Sequence, residues 1–212
     1  MIDAKIAIER LKQGNRRFVE GRSDRKSVSP EALADAQSPF AIVLGCSDSR
    51  VPAELVFDQG LGDLFVIRVA GNIVEPTQIG SVEFAAEQFG TRLVVVLGHT
   101  RCGAVAATLE QLAKSERLRS PNLRSIVNWI KPSVEPLMAE SGLEREVLEG
   151  RAVRANIDAS VRRLRKGSDI LSRLTHEDGL VIVGAEYDLE TGVVHFFDHA
   201  PGSSTGPALH PV

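Results

Sequence analysis

The chain has 212 residues, of which 43% are hydrophobic and 25% charged, with a formal net charge of -3 and a pI of about 6.0. A chain this long and this apolar can bury a full core, and it reads as a single domain over 1–212. The balance of charge leaves no basic footprint for nucleic acid, and apolar runs such as 93–97 fall far short of the ~20 residues a membrane span needs.

Residues 3–20 carry apolar side chains at helical spacing (Ile6, Ala7, Leu11, Phe18) behind a potential cap, Asp3. Charged and apolar residues alternate there, unlike a signal peptide, so an intracellular, cytoplasmic chain is expected. Residues 21–38 are polar and hold one short helix around 31–36; together 1–38 read as an N-terminal helical arm. Four runs follow, at 39–45, 64–70, 93–98 and 180–187. They are rich in Val, Ile and Leu and do not alternate with polar residues, the pattern of strands buried on both faces of a parallel sheet. Helical patterns separate them: Val82, Ala86 and Phe89; Val105, Leu109 and Leu112; Leu123, Ile126, Val127 and Ile130; Val153, Ile157, Val161 and Leu164. The alternation predicts an α/β fold, with a mainly parallel central sheet flanked by helices. After the Glu190-Thr191-Gly192 turn, residues 193–197 can add an antiparallel edge strand. The tail, 201–212, is rich in Gly, Ser and Pro and reads as loosely ordered.

The chain holds two cysteines, and both follow strand-like runs. Cys46 comes directly after the first run, and His99 and Cys102 directly after the third, so two loops at carboxyl ends of strands can converge. Two thiolates and an imidazole form a sound zinc set, and His99 and Cys102, three apart, fit one turn facing one metal. Cys102 also opens a helical run, whose positive N-terminus favours thiolate. Asp48 and Arg50 follow Cys46 closely. Each of these residues alone would more often be a buried small hydrophobe, a loop-bonding histidine or a surface ion pair. Their coincidence on two neighbouring loops favours a metal centre. A closed structural site with Asp48 as fourth ligand is the alternative.

The strings CSDSRVPAE at 46–54 and GHTRCGA at 98–104 strongly resemble the two zinc-ligand motifs of the β-class carbonic anhydrases. LKQGNRRFVEG at 11–21 is similar to that family's N-terminal helix signature. FDQGLGDLFVIRVAGN at 57–72 and GSVEFA at 80–85 are similar to its middle blocks. The resemblance implies one Zn²⁺ per chain on Cys46, His99 and Cys102, and reversible hydration of carbon dioxide to bicarbonate and a proton by hydroxide on the metal. It implies Asp48 and Arg50 as a catalytic dyad, with Asp48 on the metal only in a closed state. It also implies Gln37, Phe65 and the Gly103 N–H as substrate-binding groups, Gln37 and Phe65 being supplied across the interface of a homodimer or dimer of dimers. Phe84 stands where many members have tyrosine. Val43 stands where a subgroup with a regulatory bicarbonate pocket has tryptophan, the pocket's other members having counterparts in Arg68 and Tyr187.

Two thiolates cancel the formal charge of Zn²⁺, so water on such a metal is acidified less than on three imidazoles, and Asp48, held by Arg50, is expected to help by accepting its hydrogen bond. Two other readings use the same residues: hydrolysis of CS₂ or COS, linear analogues of CO₂, and a non-catalytic zinc-stabilised interaction module. His176, His195, His199 and His210 are read as capping or solvated.

Overall fold

Asp3 caps the first helix as its sequence suggests. In the computed structural model its carboxylate accepts from the Lys5 N–H at 2.8 Å, and α1 runs over Ala4–Val19. The described residues are 2–25, 30–34, 36–114, 120–140 and 142–197, so the tail expected at 201–212 lies outside them. The short helix expected around 31–36 is α2, Pro30–Leu33. There follow β1 (Ala41–Gly45), α3 (Ala53–Val56), β2 (Leu64–Arg68), a 3₁₀ turn (Ala70–Asn72), α4 (Pro76–Gln88), β3 (Leu93–His99), α5 (Gly103–Lys114) and α6 (Pro121–Val134). A second 3₁₀ turn (Glu135–Ala139), α7 (Arg145–Lys166), α8 (Asp169–Glu177), β4 (Val181–Tyr187) and β5 (Val194–Phe196) complete the order.

The sheet runs β2-β1-β3-β4-β5, parallel throughout except for β5, which pairs antiparallel with β4 as the short turn predicts. All residues of β1 and β3 are buried, in keeping with their unbroken apolar runs. Alternate side chains feed two cores. Ile42, Leu44, Val94, Val96 and Ile182 pack with α4 to α8, and Val43, Val95, Leu97 and Val183 pack with α1 and α3. The stripe Ala4, Ala7, Leu11 of α1 is therefore used on the chain's own sheet. Asn15 locks it there, donating to the Val56 and Gly192 carbonyls and accepting from the Val194 N–H.

Two strand ends differ from expectation by two residues, and four others by one. The first begins at Ala41, and the second stops at Arg68 because the chain turns into left-handed backbone at Gly71 (φ 69°) and Asn72 (φ 43°). The short helices α3 and α8 carry too few periods to stand out in a pattern search; α8 is announced mainly by its cap, Ser168, which accepts from the Leu171 N–H at 3.0 Å.

Candidate metal centre and active site

The chain leaves β1 towards one side, to β2, and later returns to add β3 on the other side of β1. This reversal makes the carboxyl ends of β1 and β3 the switch point of the sheet, where successive loops diverge and leave a crevice. Cys46 follows β1 there, His99 ends β3, and Cys102 immediately precedes α5. The sulfurs and a ring nitrogen of the three lie within 4.8 Å of one another, and all three residues are buried.

The donor chemistry fits a metal ion. His99 Nδ1 lies 2.9 Å from the Thr100 carbonyl, which can only accept, so Nδ1 carries the hydrogen and Nε2 presents its lone pair. That Nε2 is buried without a hydrogen-bond partner, a costly arrangement that a cation would relieve. Of the two sulfurs, Cys46 is the more readily ionised. Its pKa is brought down to about 4, first by the hydrogen bond from the Cys102 thiol, against burial, and further by the N–H groups of Asp48 and Gly71. The same bond, together with burial, pushes Cys102 up, while the N–H groups of Val105 and Ala104 at the start of α5 pull the other way. A dication bound here would displace the Cys102 proton, since a ligating sulfur is deprotonated.

Asp48 and Arg50 stand at the rim. Arg50 Nε donates to Asp48 Oδ1 at 2.9 Å and Nη2 to Oδ2 at 2.8 Å, and the Arg50 N–H also reaches Oδ1 at 3.0 Å. This Arg50 hydrogen bond, partly opposed by burial, holds the carboxyl well below the usual carboxylate range. Asp48 Oδ2 lies 3.9 Å from His99 Nε2. Gly103 is the first residue of α5, exposed, with open space where a side chain would be; the first N–H groups of a helix lack intrahelical partners.

Gln37 and Phe65 are not brought to this cluster. Gln37 is exposed on the segment entering β1, at the opposite end of the strand from Cys46. Phe65 pairs in register with Ile42, four residues before Cys46 and so roughly 13 Å away along the strand. It packs with Phe84 and Phe89, ring centroids 6.2 and 6.1 Å away, and Phe84 is 53% exposed.

Two supporting groups, Arg68 and Gly71, lie within the 57–72 block, but nothing in its sequence marks their contacts with the cysteine loop. Arg68 donates to the Cys46 carbonyl at 3.1 Å and the Asp48 carbonyl at 2.6 Å, clamping the first loop. Gly71 donates its N–H to Cys46 Sγ at 3.3 Å. Val43 is fully buried, and Tyr187 is buried against Phe18.

A mainly parallel α/β sheet with two thiols and an imidazole converging at its switch point defines a protein with a donor cluster that could hold a metal ion. A sequence profile of the family described as "Carbonic anhydrase" matches residues 41–194. The chain is 40% identical over 193 residues to carbonic anhydrase 2 of Mycobacterium tuberculosis, covering 89% of this chain and 90% of that protein. It is 41% identical over 192 residues to the carbonic anhydrase of Mycolicibacterium smegmatis, covering 89% and 91%. Among solved structures, the β-carbonic anhydrase CcaA aligns with TM-score 0.70 at 30% identity, covering 94% of each chain. The β-carbonic anhydrase CafA of Aspergillus fumigatus aligns with TM-score 0.73 at 25% identity, covering 93% and 92%. The chain belongs to the β-class carbonic anhydrases. It is thus an enzyme of the family whose reaction is the hydration of carbon dioxide.

Proposed function

We propose that the whole chain acts as one β-class unit. It catalyses reversible hydration of carbon dioxide to bicarbonate and a proton at a zinc ion held by Cys46, His99 and Cys102. The observation that carries this reading is the unpartnered, buried His99 Nε2 beside two cysteine sulfurs, with the nearest carboxylate already committed to Arg50. Zinc in a three-ligand site supplies a Lewis acid that lowers the pKa of water towards about 7.

The chain's own residues supply the rest. Asp48 Oδ2 accepts a hydrogen bond from the attacking water and turns a lone pair towards the CO₂ carbon. Arg50 keeps Asp48 anionic and keeps both its oxygens away from the metal. The Gly103 N–H donates to substrate oxygen. Gln37 and Phe65 act on the site of a neighbouring copy; their distance from their own cluster supports this, as do the exposed Phe84 ring beside Phe65 and the outer edge of β2. The active unit is then a homodimer or a dimer of dimers.

A cytoplasmic location belongs to the same reading. Both cysteines are free and their sulfurs are close, a pair best preserved in a reducing compartment. No helix among the described residues is long and apolar enough to cross a membrane.

The test is a CO₂ hydration assay of purified protein with its zinc content measured alongside, for the native chain and Cys102→Ser. One zinc per native chain with turnover, and loss of most zinc and essentially all turnover in Cys102→Ser, is expected, because a hydroxyl replaces thiolate poorly. Full zinc occupancy with undiminished turnover in the variant would refute the ligand set. CS₂ and COS assayed on the same preparation separate the related hydrolyses.

A further inference from the structure

The metal cluster is braced from behind by a helix that contributes no ligand. Asn156 and Ser160 lie on α7 and are fully buried, one helical turn apart, on the same face as Val153, Ile157, Val161 and Leu164. Asn156 Nδ2 donates to the Gly71 carbonyl at 2.7 Å, and Ser160 Oγ donates to the Asn72 carbonyl at 2.9 Å. Those two carbonyls belong to the left-handed pair that ends β2, and the N–H of the same Gly71 points at Cys46 Sγ. Gly71 is required at its position. Its φ is 69°, and an added Cβ would meet Ile130 at 2.8 Å and Ala104 at 3.1 Å. The same helix touches the second ligand loop: a Cβ on Gly98, the residue before His99, would meet Ile157 at 2.5 Å.

Stability alone does not account for these polar side chains. Asn156 Oδ1 and Asn72 Nδ2 are both buried with no hydrogen-bond partner among the described residues, and each such group costs free energy that an apolar residue would avoid. What Asn156 and Ser160 add is direction. The held carbonyls lie in the two peptides that follow the one carrying the Gly71 N–H, so they fix that N–H by limiting rotation about the Gly71 backbone, and such rotation would swing it off the sulfur.

We infer that Asn156 and Ser160 are positioning residues for the metal centre, which fix the Gly71–Asn72 turn so that the Gly71 N–H bonds Cys46 Sγ and aims that sulfur at the metal. The inference rests on the proposed reading of Cys46, His99 and Cys102 as zinc ligands. Groups that orient a ligand in this way are typically worth about 10–100-fold in metal affinity.

The experiment compares full-length native protein with Ser160→Ala, Ser160→Thr, Asn156→Leu and Val161→Ala. Zinc affinity is read by competition with a chromophoric chelator, and the sulfur environment by the thiolate-to-metal charge-transfer band of the cobalt-substituted protein. Ser160→Ala and Asn156→Leu are expected to weaken zinc binding by about 10-fold or more and to shift the band. Ser160→Thr, which keeps the hydroxyl, restores both readings. Val161→Ala, which removes buried volume from the same helix but no hydrogen bond, leaves both unchanged. Native affinity and an unmoved band in Ser160→Ala overturn the inference while leaving the zinc site intact, as does an equal loss in Val161→Ala. Should Asn156→Leu not fold, the two Ser160 variants decide. A native chain that binds neither zinc nor cobalt stoichiometrically overturns the metal-centre reading and this inference with it.

Discussion

Arg50 grips both carboxylate oxygens of Asp48, Nε on Oδ1 and Nη2 on Oδ2, while Oδ2 stays 3.9 Å from His99 Nε2. A carboxylate so close to two thiols and an imidazole is itself a competent zinc ligand. A bidentate guanidinium is the strongest ordinary competitor for it. In the proposed zinc centre, the balance between Arg50 and the metal for Asp48 would therefore decide whether the fourth position serves chemistry.

Removing the competitor should release the carboxylate. Arg50→Ala is expected to keep zinc but lose at least about 100-fold in turnover, with Asp48 joined to the metal in a crystal structure near pH 8. Asp48→Asn is expected to keep zinc and turn over just as poorly, since an amide can offer a hydrogen where an acceptor is needed. Loss of zinc from Asp48→Asn would instead identify Asp48 as a structural ligand.

Gln37 sits at the end of β1 away from its own Cys46, so its contribution should come from another copy. Gln37→Ala is expected to retain zinc and lose about 10-fold in activity, the worth of one hydrogen bond. Mixed dimers of Gln37→Ala with the metal-less Cys102→Ser should regain native activity at one of their two sites. There an intact ligand set meets an intact Gln37 from the partner. No recovery on mixing, or full activity of a monomer in sedimentation at assay concentration, would count against supply across an interface.

Bicarbonate should not inhibit cooperatively. Valine at position 43 offers no indole N–H and is fully packed, and the Arg68 guanidinium is spent on the Cys46 and Asp48 carbonyls. A ligand shifts a conformational balance only through its differential affinity for the two states, and little remains here to supply it. Inhibition curves with a Hill coefficient well above one would overturn this expectation.

Asp58 ties the N-terminal segment to α3 and should make stability sensitive to acid. Burial disfavours its charged form. The bonds from Ser23 Oγ (2.5 Å), the Asp24 N–H (3.0 Å) and Arg17 Nε (2.7 Å) outweigh burial, and the net shift is downward. A carboxyl whose folded pKa lies below its unfolded value stabilises fully above the unfolded value, about 3.9, and loses that contribution as pH falls through the folded one. Asp58→Asn should therefore cost about 2–3 kcal/mol at pH 7, with the gap to the native protein closing below about pH 4. Urea midpoints of both proteins between pH 3 and 7 measure it; a gap independent of pH would show that charge is not the cause.

Much of this protein is determined locally, and so is legible in the chain itself. Unbroken Val, Ile and Leu runs can only be satisfied by burial on both faces, which makes β1 and β3 the centre of a parallel sheet. Cys46, and His99 with Cys102, the ligands of the proposed metal centre, announce themselves because metal ligands are of particular chemical types and these follow strand ends. The rest required the third dimension. Strand order alone decides that β1 and β3 are neighbours and that their loops part at the crevice. Arg68, Asn156 and Ser160 act through hydrogen bonds to backbone carbonyls and Gly71 through its own backbone N–H, and a carbonyl or an N–H has no residue type to betray its partner. The only trace of Asn156 and Ser160 is two polar residues within an apolar helical stripe. Which carbonyls those residues reach is decided by how α7 packs across the 3₁₀ turn, a distance relationship that no spacing along one strand or helix encodes.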